Sequence, residues 1–314
     1  MGDIMAFKEL SIKEIMQLNE SDKLEYQLEA LDYYGNLTGQ LDGFEKKEKI
    51  HGLLLTMSKL NPISIYKLNE IRWPDDNKNC IFSANHSNAN DFLTLGQLIK
   101  KHFFIMADFT MINDPIVDKI NRLNGCIYLD RMSRISGKNA LQQAIDGVYQ
   151  GYNMAIFPES TWNLFEDKLM LPRKWGDIII AQQTKRPIVP VAMVYNYKNC
   201  FVKFGDPFYV NQNDNIKHAS DELAKIMEQL RRDIINSEKY RILYRDIPYE
   251  KWLVNTIKSY KNFDVEYEMS VIRNDSTIDE NELNKIIEIG EKVHPVEEIE
   301  MRLKNSKVNY RIKR

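Results

Sequence analysis

Five short apolar runs, at residues 80–84, 103–107, 126–129, 154–157 and 188–194, constrain the fold of this chain more than any other feature. They carry little polar alternation, which is the pattern of a strand covered on both faces. Helical stretches at 92–100, 114–123 and 139–149 lie between most of them. Buried strands separated by helices define βαβ units around a mostly parallel sheet. The expected fold class is therefore α/β, a mostly parallel central sheet flanked by helices. In such sheets the working loops leave the carboxyl ends of the strands. That rule directs attention to the residues just after Ala84, Leu129 and Phe157.

The pattern differs at both ends of the chain. Residues 1–62 read as an N-terminal helical cap. Leu10, Ile12, Ile15, Met16 and Leu18 share one face, as do Leu24, Leu28 and Leu31 in the next segment. Asp42-Gly43 interrupts the pattern, and a third helix through Ile50, Leu53, Leu54 and Met57 ends at Asn61-Pro62. Residues 63–210 hold the alternating strands and helices and are expected to form the catalytic domain. Residues 211–314 read as a mixed α+β C-terminal appendage. A helix over 222–240 sets Leu223, Ile226, Met227 and Leu230 on one face. Phe263, Val265, Tyr267, Met269 and Val271 alternate with polar residues, which predicts a half-exposed strand. Thr277 with Glu280 makes a capping box for a following helix, and Val308, Tyr310 and Ile312 supply a second alternating strand.

Composition removes several classes of function. Lys plus Arg number 43 against 45 Asp plus Glu, a formal net charge of −2, so bulk electrostatic binding of nucleic acid is not expected. No apolar stretch approaches the roughly 20 residues needed to span a bilayer. The first residues lack the pattern of a secretory signal, so the expected location is cytoplasmic. Cys80, Cys126 and Cys200 are widely spaced without a CxxC pair and read as small core residues. There is no G-x-S-x-G elbow, G-x-G-x-x-G or Walker A loop, H-E-x-x-H or EF-hand loop. Neither a metal nor a nucleotide cofactor is expected.

Four segments carry chemistry. After the first apolar run comes Asn85-His86-Ser87-Asn88-Ala89-Asn90-Asp91. A neutral imidazole is a general base near pH 7 when a partner fixes its tautomer, and Asp91 can fold back from the first helical turn to do so. The same run also reads as an Asn- and Asp-rich capping loop. The second segment, Gly125 to Arg131, delivers Arg131 at a strand end, where an arginine can grip a phosphate bidentately or simply pair with a nearby acid. Arg122, Arg134, Lys138, Lys100 and Lys101 make this stretch locally basic. Third is Phe157-Pro158-Glu159-Ser160-Thr161, a carboxylate at a strand end or a turn opened by proline. Fourth is Arg186-Pro187-Ile188-Val189-Pro190-Val191, an apolar strand that lines a channel or fills the core.

Taken in order, His86-x4-Asp91, Asp130-Arg131, Phe157-Pro158-Glu159-Ser160-Thr161 and Ile188-Val189-Pro190-Val191 resemble the four blocks of the glycerolipid O-acyltransferase superfamily, of 1-acylglycerol-3-phosphate acyltransferase type. The resemblance covers roughly residues 80–210, with Lys174-Trp175-Gly176 and Gly205-Asp206-Pro207 also in keeping with it. It implies transfer of a fatty acyl group from an acyl thioester, acyl-CoA or acyl-carrier protein as co-substrate, to a hydroxyl of lysophosphatidate or a related lysolipid. His86 and Asp91 would be the catalytic pair, with no covalent acyl-enzyme. Arg131, Glu159, Ser160, Thr161 and Lys174 would bind substrate. The family's third block commonly reads Phe-Pro-Glu-Gly-Thr-Arg. Here Ser160 replaces the glycine and Trp162 stands where the arginine would be, which removes one phosphate ligand and offers an apolar face instead. A thioesterase, a non-catalytic lipid-binding protein on the same fold, or an acyltransferase for a non-glycerolipid hydroxyl are the alternatives. Contact with a membrane would be peripheral. Lys100, Lys101, His102, Phe103 and Phe104 are the candidate for it, though they also read as a helix end entering a buried strand.

Overall fold

The computed structural model describes residues 14, 17–19, 22, 62–74, 78–108, 125–129, 131, 134–260 and 263–294. Nearly all of the expected N-terminal cap, the helix at 114–123, Asp130 and the strand through Val308 lie outside the described residues.

Seven strands form a single sheet: β1 (Ser64–Lys67), β2 (Ile81–Ala84), β3 (Phe103–Asp108), β4 (Cys126–Leu129), β5 (Asn153–Ile156), β6 (Ile188–Asn196) and β7 (Asn199–Phe204). Their order is β1-β7-β6-β2-β5-β3-β4. From β6 to β4 every neighbouring pair is parallel; β7 runs antiparallel to β6, and β1 is parallel to β7. All five expected runs are strands, shifted by a residue or two at their ends. The prolines of the fourth segment lie in or beside β6, deep in the sheet, where Ile188, Val189 and Val191 are fully buried. That segment is core.

Alternation along the strands explains the two covered faces. Ile81, Met154 and Ile156 point to one side, against α2 (Arg134–Tyr149), α3 (Gly176–Thr184) and α4 (Ile216–Ile235), represented by Ala144, Ile178 and Leu223. Phe82, Ala84, Ala155 and Val189 point to the other, against Leu95 of α1 (Asp91–Leu98). Helix α4 buries Ala219, Leu223, Met227, Leu230 and Ile234, a stripe at helical spacing. The three cysteines are buried and not joined in disulfides, and burial pushes the Cys80 thiol up to about 12, far from a reactive thiolate.

The C-terminal region differs from expectation in three places. The helix over 222–240 is two helices, because Ser237 caps a new one, α5 (Glu238–Leu243), by accepting from the Tyr240 N–H. The strand expected through 263–271 is instead a helix, α7 (Val265–Ser270). Val265 and Met269 fit a period of two and also a helical spacing of four. The Asp264 carboxylate decides between them by capping the Tyr267 N–H at 3.0 Å. Finally, the cap before α8 (Glu280–Val293) is Asp279, which accepts from Asn281 and Glu282 N–H, while Thr277 donates to Asp275.

Helices α6 (Tyr249–Lys258), α7 and α8 build an apolar cluster with Trp162, Leu164, Phe165 and Leu171 from the loop after β5. The C-terminal helices are thereby seated at the carboxyl edge of the sheet. A β-carbon on Gly290 would come within 2.4 Å of Val265, so α8 meets α7 at a spot where only glycine fits. The proposed membrane segment is not available: Phe103 and Phe104 are buried in β3, and Lys101 lies over the Trp73 ring at 4.1 Å. Among the described residues no helix is long and apolar enough to cross a membrane.

Candidate active site

Four neighbouring parallel strands, β2, β5, β3 and β4, end side by side, and each end contributes to one site. His86 follows β2, Glu159 to Trp162 follow β5, Asp108 closes β3, and Arg131 follows β4.

His86 is fixed from every side. Its Nδ1 lies 2.8 Å from Asp91 Oδ2, and the same oxygen accepts the Ser87 N–H at 2.7 Å and the Asn88 N–H at 3.0 Å. Asp91 is fully buried. A carboxylate only accepts, so Nδ1 carries the ring proton and Nε2 is the basic nitrogen. The His86 N–H donates to Glu159 Oε2 at 2.7 Å, and its carbonyl accepts the Asn163 N–H at 2.7 Å. The ring stacks on Phe157 with centroids 4.4 Å apart and meets Trp162 edge-on at 5.9 Å. The loop after β5 therefore clasps the histidine by its backbone and its ring. On the other flank Asn85 extends the sheet ladder with its side chain, exchanging two hydrogen bonds with the Met193 backbone.

Glu159 is fully buried, and both its oxygens are engaged by backbone donors, His86 N–H and Leu171 N–H, each at 2.7 Å. Burial pushes its carboxyl above the ordinary range, opposed by the charge of Arg231 and by those two donors. Arg231 reaches in from α4, is held below its usual value by burial, and donates to the Leu169 carbonyl. Ser160 adopts a left-handed backbone with φ of 59°, the conformation for which glycine is the default. Thr161 is fully buried and donates to Glu268 Oε2 at 3.1 Å. Lys174 presents an exposed side chain, while its N–H donates to the Pro158 carbonyl.

Arg131 is engaged as well. It donates to Asp108 through Nε, to the Ser160 carbonyl, and in a two-pronged fork to both oxygens of Glu268 at 2.8 Å. Burial works against its charge, but Glu268 and Asp108 outweigh that and hold the guanidinium well above its ordinary value. Tyr267 lies against it, 4.9 Å from ring centroid to guanidinium, and donates its hydroxyl to Asp108.

Residues 62–194 match the family model described as Acyltransferase. That stretch is therefore similar in sequence to the glycerolipid acyltransferases. A 1-acyl-sn-glycerol-3-phosphate acyltransferase of Saccharomyces cerevisiae is 31% identical over 172 residues, 51% of this chain and 55% of that protein. One from Borreliella burgdorferi is 33% identical over 125 residues, 40% of this chain and 49% of that protein. The chain thus spans about half the length of these curated relatives. The crystal structure of the 1-acyl-sn-glycerophosphate acyltransferase PlsC from Thermotoga maritima superposes with a TM-score of 0.48 at 19% identity, covering 70% of this chain and 92% of that one.

Within residues 62–194 the structure brings His86, Asp91, Glu159, Ser160 and Thr161 together and sets Arg131 against the same loop. Sequence reasoning missed Glu268, Tyr267 and Arg231, all beyond residue 194. Arg231 did leave a signal, since it falls four residues after Met227 on the buried face of α4. Glu268 left none, because reading its segment as a strand put it on the solvent side.

Proposed function

We propose that this chain is an O-acyltransferase, moving a fatty acyl group from an acyl thioester to a hydroxyl of lysophosphatidate or a related lysolipid. The observation that carries this reading is the Asp91–His86 pair, in which Asp91 holds Nδ1 and leaves Nε2 as the base on a ring that is 23% exposed. His86 Nε2 takes the acceptor proton, and the alkoxide attacks the thioester carbonyl. The tetrahedral intermediate expels the thiolate of CoA or acyl-carrier protein, which recovers the proton from the imidazolium. Asp91 stabilises that imidazolium. General-base assistance supplies about 10²- to 10⁴-fold; positioning of donor and acceptor supplies more.

In this reading Glu159 is a positioning residue that acts through the His86 backbone. Ser160, Thr161, Arg131 and Lys174 belong to the acceptor side of the site. The acceptor is met by peripheral contact with a membrane surface from the cytoplasm.

The test is a screen of acyl-CoA and acyl-carrier-protein donors against lysophosphatidate, other lysophospholipids and monoacylglycerol, read by mass spectrometry. Acylated product that disappears in His86→Ala supports the proposal. Fatty acid release indifferent to acceptor would make the chain a thioesterase instead, and stoichiometric lipid binding without turnover would make it a binding protein. Either result overturns the proposal.

A further inference from the structure

We propose that Glu268 is an internal competitor for the oxyanion fork of Arg131, setting how strongly the site favours a phosphomonoester acceptor over an uncharged one. The inference takes its ligand class from the lysolipid reading above; its geometry is independent of that reading.

A guanidinium presents paired N–H groups to a planar carboxylate or to two oxygens of a phosphate in the same geometry. In this chain Glu268 occupies that position, with Nη1 and Nη2 each 2.8 Å from a separate carboxylate oxygen. The remaining contacts of Arg131 are internal too, with Asp108 on Nε and the Ser160 carbonyl on Nη1. An incoming oxyanion therefore has to displace a carboxylate. Glu268 is the more accessible of the two, its side chain 17% exposed against 9% for Asp108.

The fork adjoins the reacting histidine through one loop. Ser160, whose carbonyl holds Arg131, and Thr161, whose hydroxyl holds Glu268, follow directly on Glu159, which holds the His86 backbone. Charge points the same way. One arginine between two carboxylates leaves the cluster net negative, which opposes a phosphate dianion and is indifferent to a neutral glycerol head. Trp162 adds to this, since it is buried against Phe263 with ring centroids 4.4 Å apart and supplies no second cation. Glu268 itself rides on α7, anchored by the buried Val265 and Met269, so it returns to the fork whenever the ligand leaves.

The experiment uses the full chain carrying His86→Ala, so that binding is read without turnover. Lysophosphatidate and monoacylglycerol of the same acyl chain are titrated in mixed micelles, with and without Glu268→Gln. A fork filled by Glu268 about nine-tenths of the time weakens apparent affinity about tenfold. Glu268→Gln should therefore tighten lysophosphatidate about tenfold relative to monoacylglycerol, and Glu268→Ala should shift the ratio in the same direction. Thermal melting checks that both variants are folded. Equal shifts for the two lipids, no shift, or weaker lysophosphatidate binding would overturn the proposal and mark Glu268 as a structural anchor of α7. In the chain with His86 intact, the ratio of kcat/KM for the two acceptors should move with the binding ratio. Absence of transfer to any acceptor there refutes the acyltransferase reading and leaves the titration to decide the role of Glu268.

Discussion

Replacing Glu159 by glutamine separates a residue that binds substrate from one that builds the site. Both carboxylate oxygens accept a backbone N–H, from His86 and from Leu171, in a fully buried position. Gln keeps the shape but turns one acceptor into an NH2 donor, so one of the two N–H groups faces a donor and loses its partner. A buried donor left unsatisfied costs about 1–3 kcal/mol. The buried Arg231 also loses an opposing charge, although Asp91 and Glu228 remain near it, which adds about 1 kcal/mol, below the about 3–5 kcal/mol of a fully broken buried pair. The expected loss is therefore about 2–4 kcal/mol of stability. The same carboxylate ties the His86 backbone to the loop through Leu171, so either orientation of the amide loosens the ring, and misplacement of the order of 1 Å costs about a hundredfold in turnover. Thermal unfolding monitored by circular dichroism, with kcat and KM measured on the folded fraction, reads both effects. A variant with unchanged melting and kcat but a raised KM for the acceptor would refute this reasoning and make Glu159 a substrate ligand.

Asp91→Asn retains an acceptor for the Ser87 and Asn88 N–H groups but removes the charge beside the imidazolium. At an effective dielectric near 20, a unit charge about 4 Å away is worth about 4 kcal/mol, so kcat should fall about a thousandfold in a folded protein; retention of a tenth of the activity would contradict it. Ser160→Gly should stabilise the chain by about 0.5–1 kcal/mol in chemical denaturation, the left-handed penalty of about 1–2 kcal/mol less the added unfolded-state freedom of glycine. Gly290→Ala should destabilise it by about 1–3 kcal/mol, since the new β-carbon meets Val265 at 2.4 Å and α7 must shift off α8.

What the sequence makes legible here follows from how local each interaction is. The strands were readable because each is a compact apolar run that no amphipathic helix would produce. His86 and Asp91 were readable because five residues separate them and one turn joins them. The partner of the His86 backbone was not, since Glu159 lies 73 residues on and its contact is with a main-chain N–H that carries no residue-specific mark. The Arg131 contact spans 137 residues and depends on α7 being a helix. Within the alternating pattern from Phe263 to Val271, Val265 and Met269 fit either period, and the Asp264 cap that settles it is a single side chain. Resemblance to a family supplied candidate substrate ligands, and the geometry sorts them. Glu159 and Thr161 face other protein groups, and Ser160 lends its carbonyl and its backbone turn. Lys174 is the one whose side chain is exposed.

The site divides along the chain in a way that bears on how such a domain changes its acceptor. The His86–Asp91 pair and its clasp come from β2, β5 and their loops, all within residues 62–194. Every described side chain that closes on Arg131 from outside that span comes from α7: Glu268 by its fork, Tyr267 by its ring. Helix α7 in turn is held by Trp162, Phe263 and the face of α8, an apolar cluster that includes no member of the His–Asp pair. Substitutions at Phe263, Val265 or the face of α8 can therefore tilt α7 and re-aim Glu268 while leaving the Asp91–His86 bond untouched, whereas Trp162 also meets the His86 ring. Conversely, the hydrogen bonds that fix His86 involve no atom of α7. On the proposed reading, a fold built this way can vary the charge presented to the acceptor head group without breaking the hydrogen bond that orients the base. The two tasks meet at Ser160 and Thr161, where one strained turn serves both, and at Trp162, which touches the His86 ring and Phe263 alike.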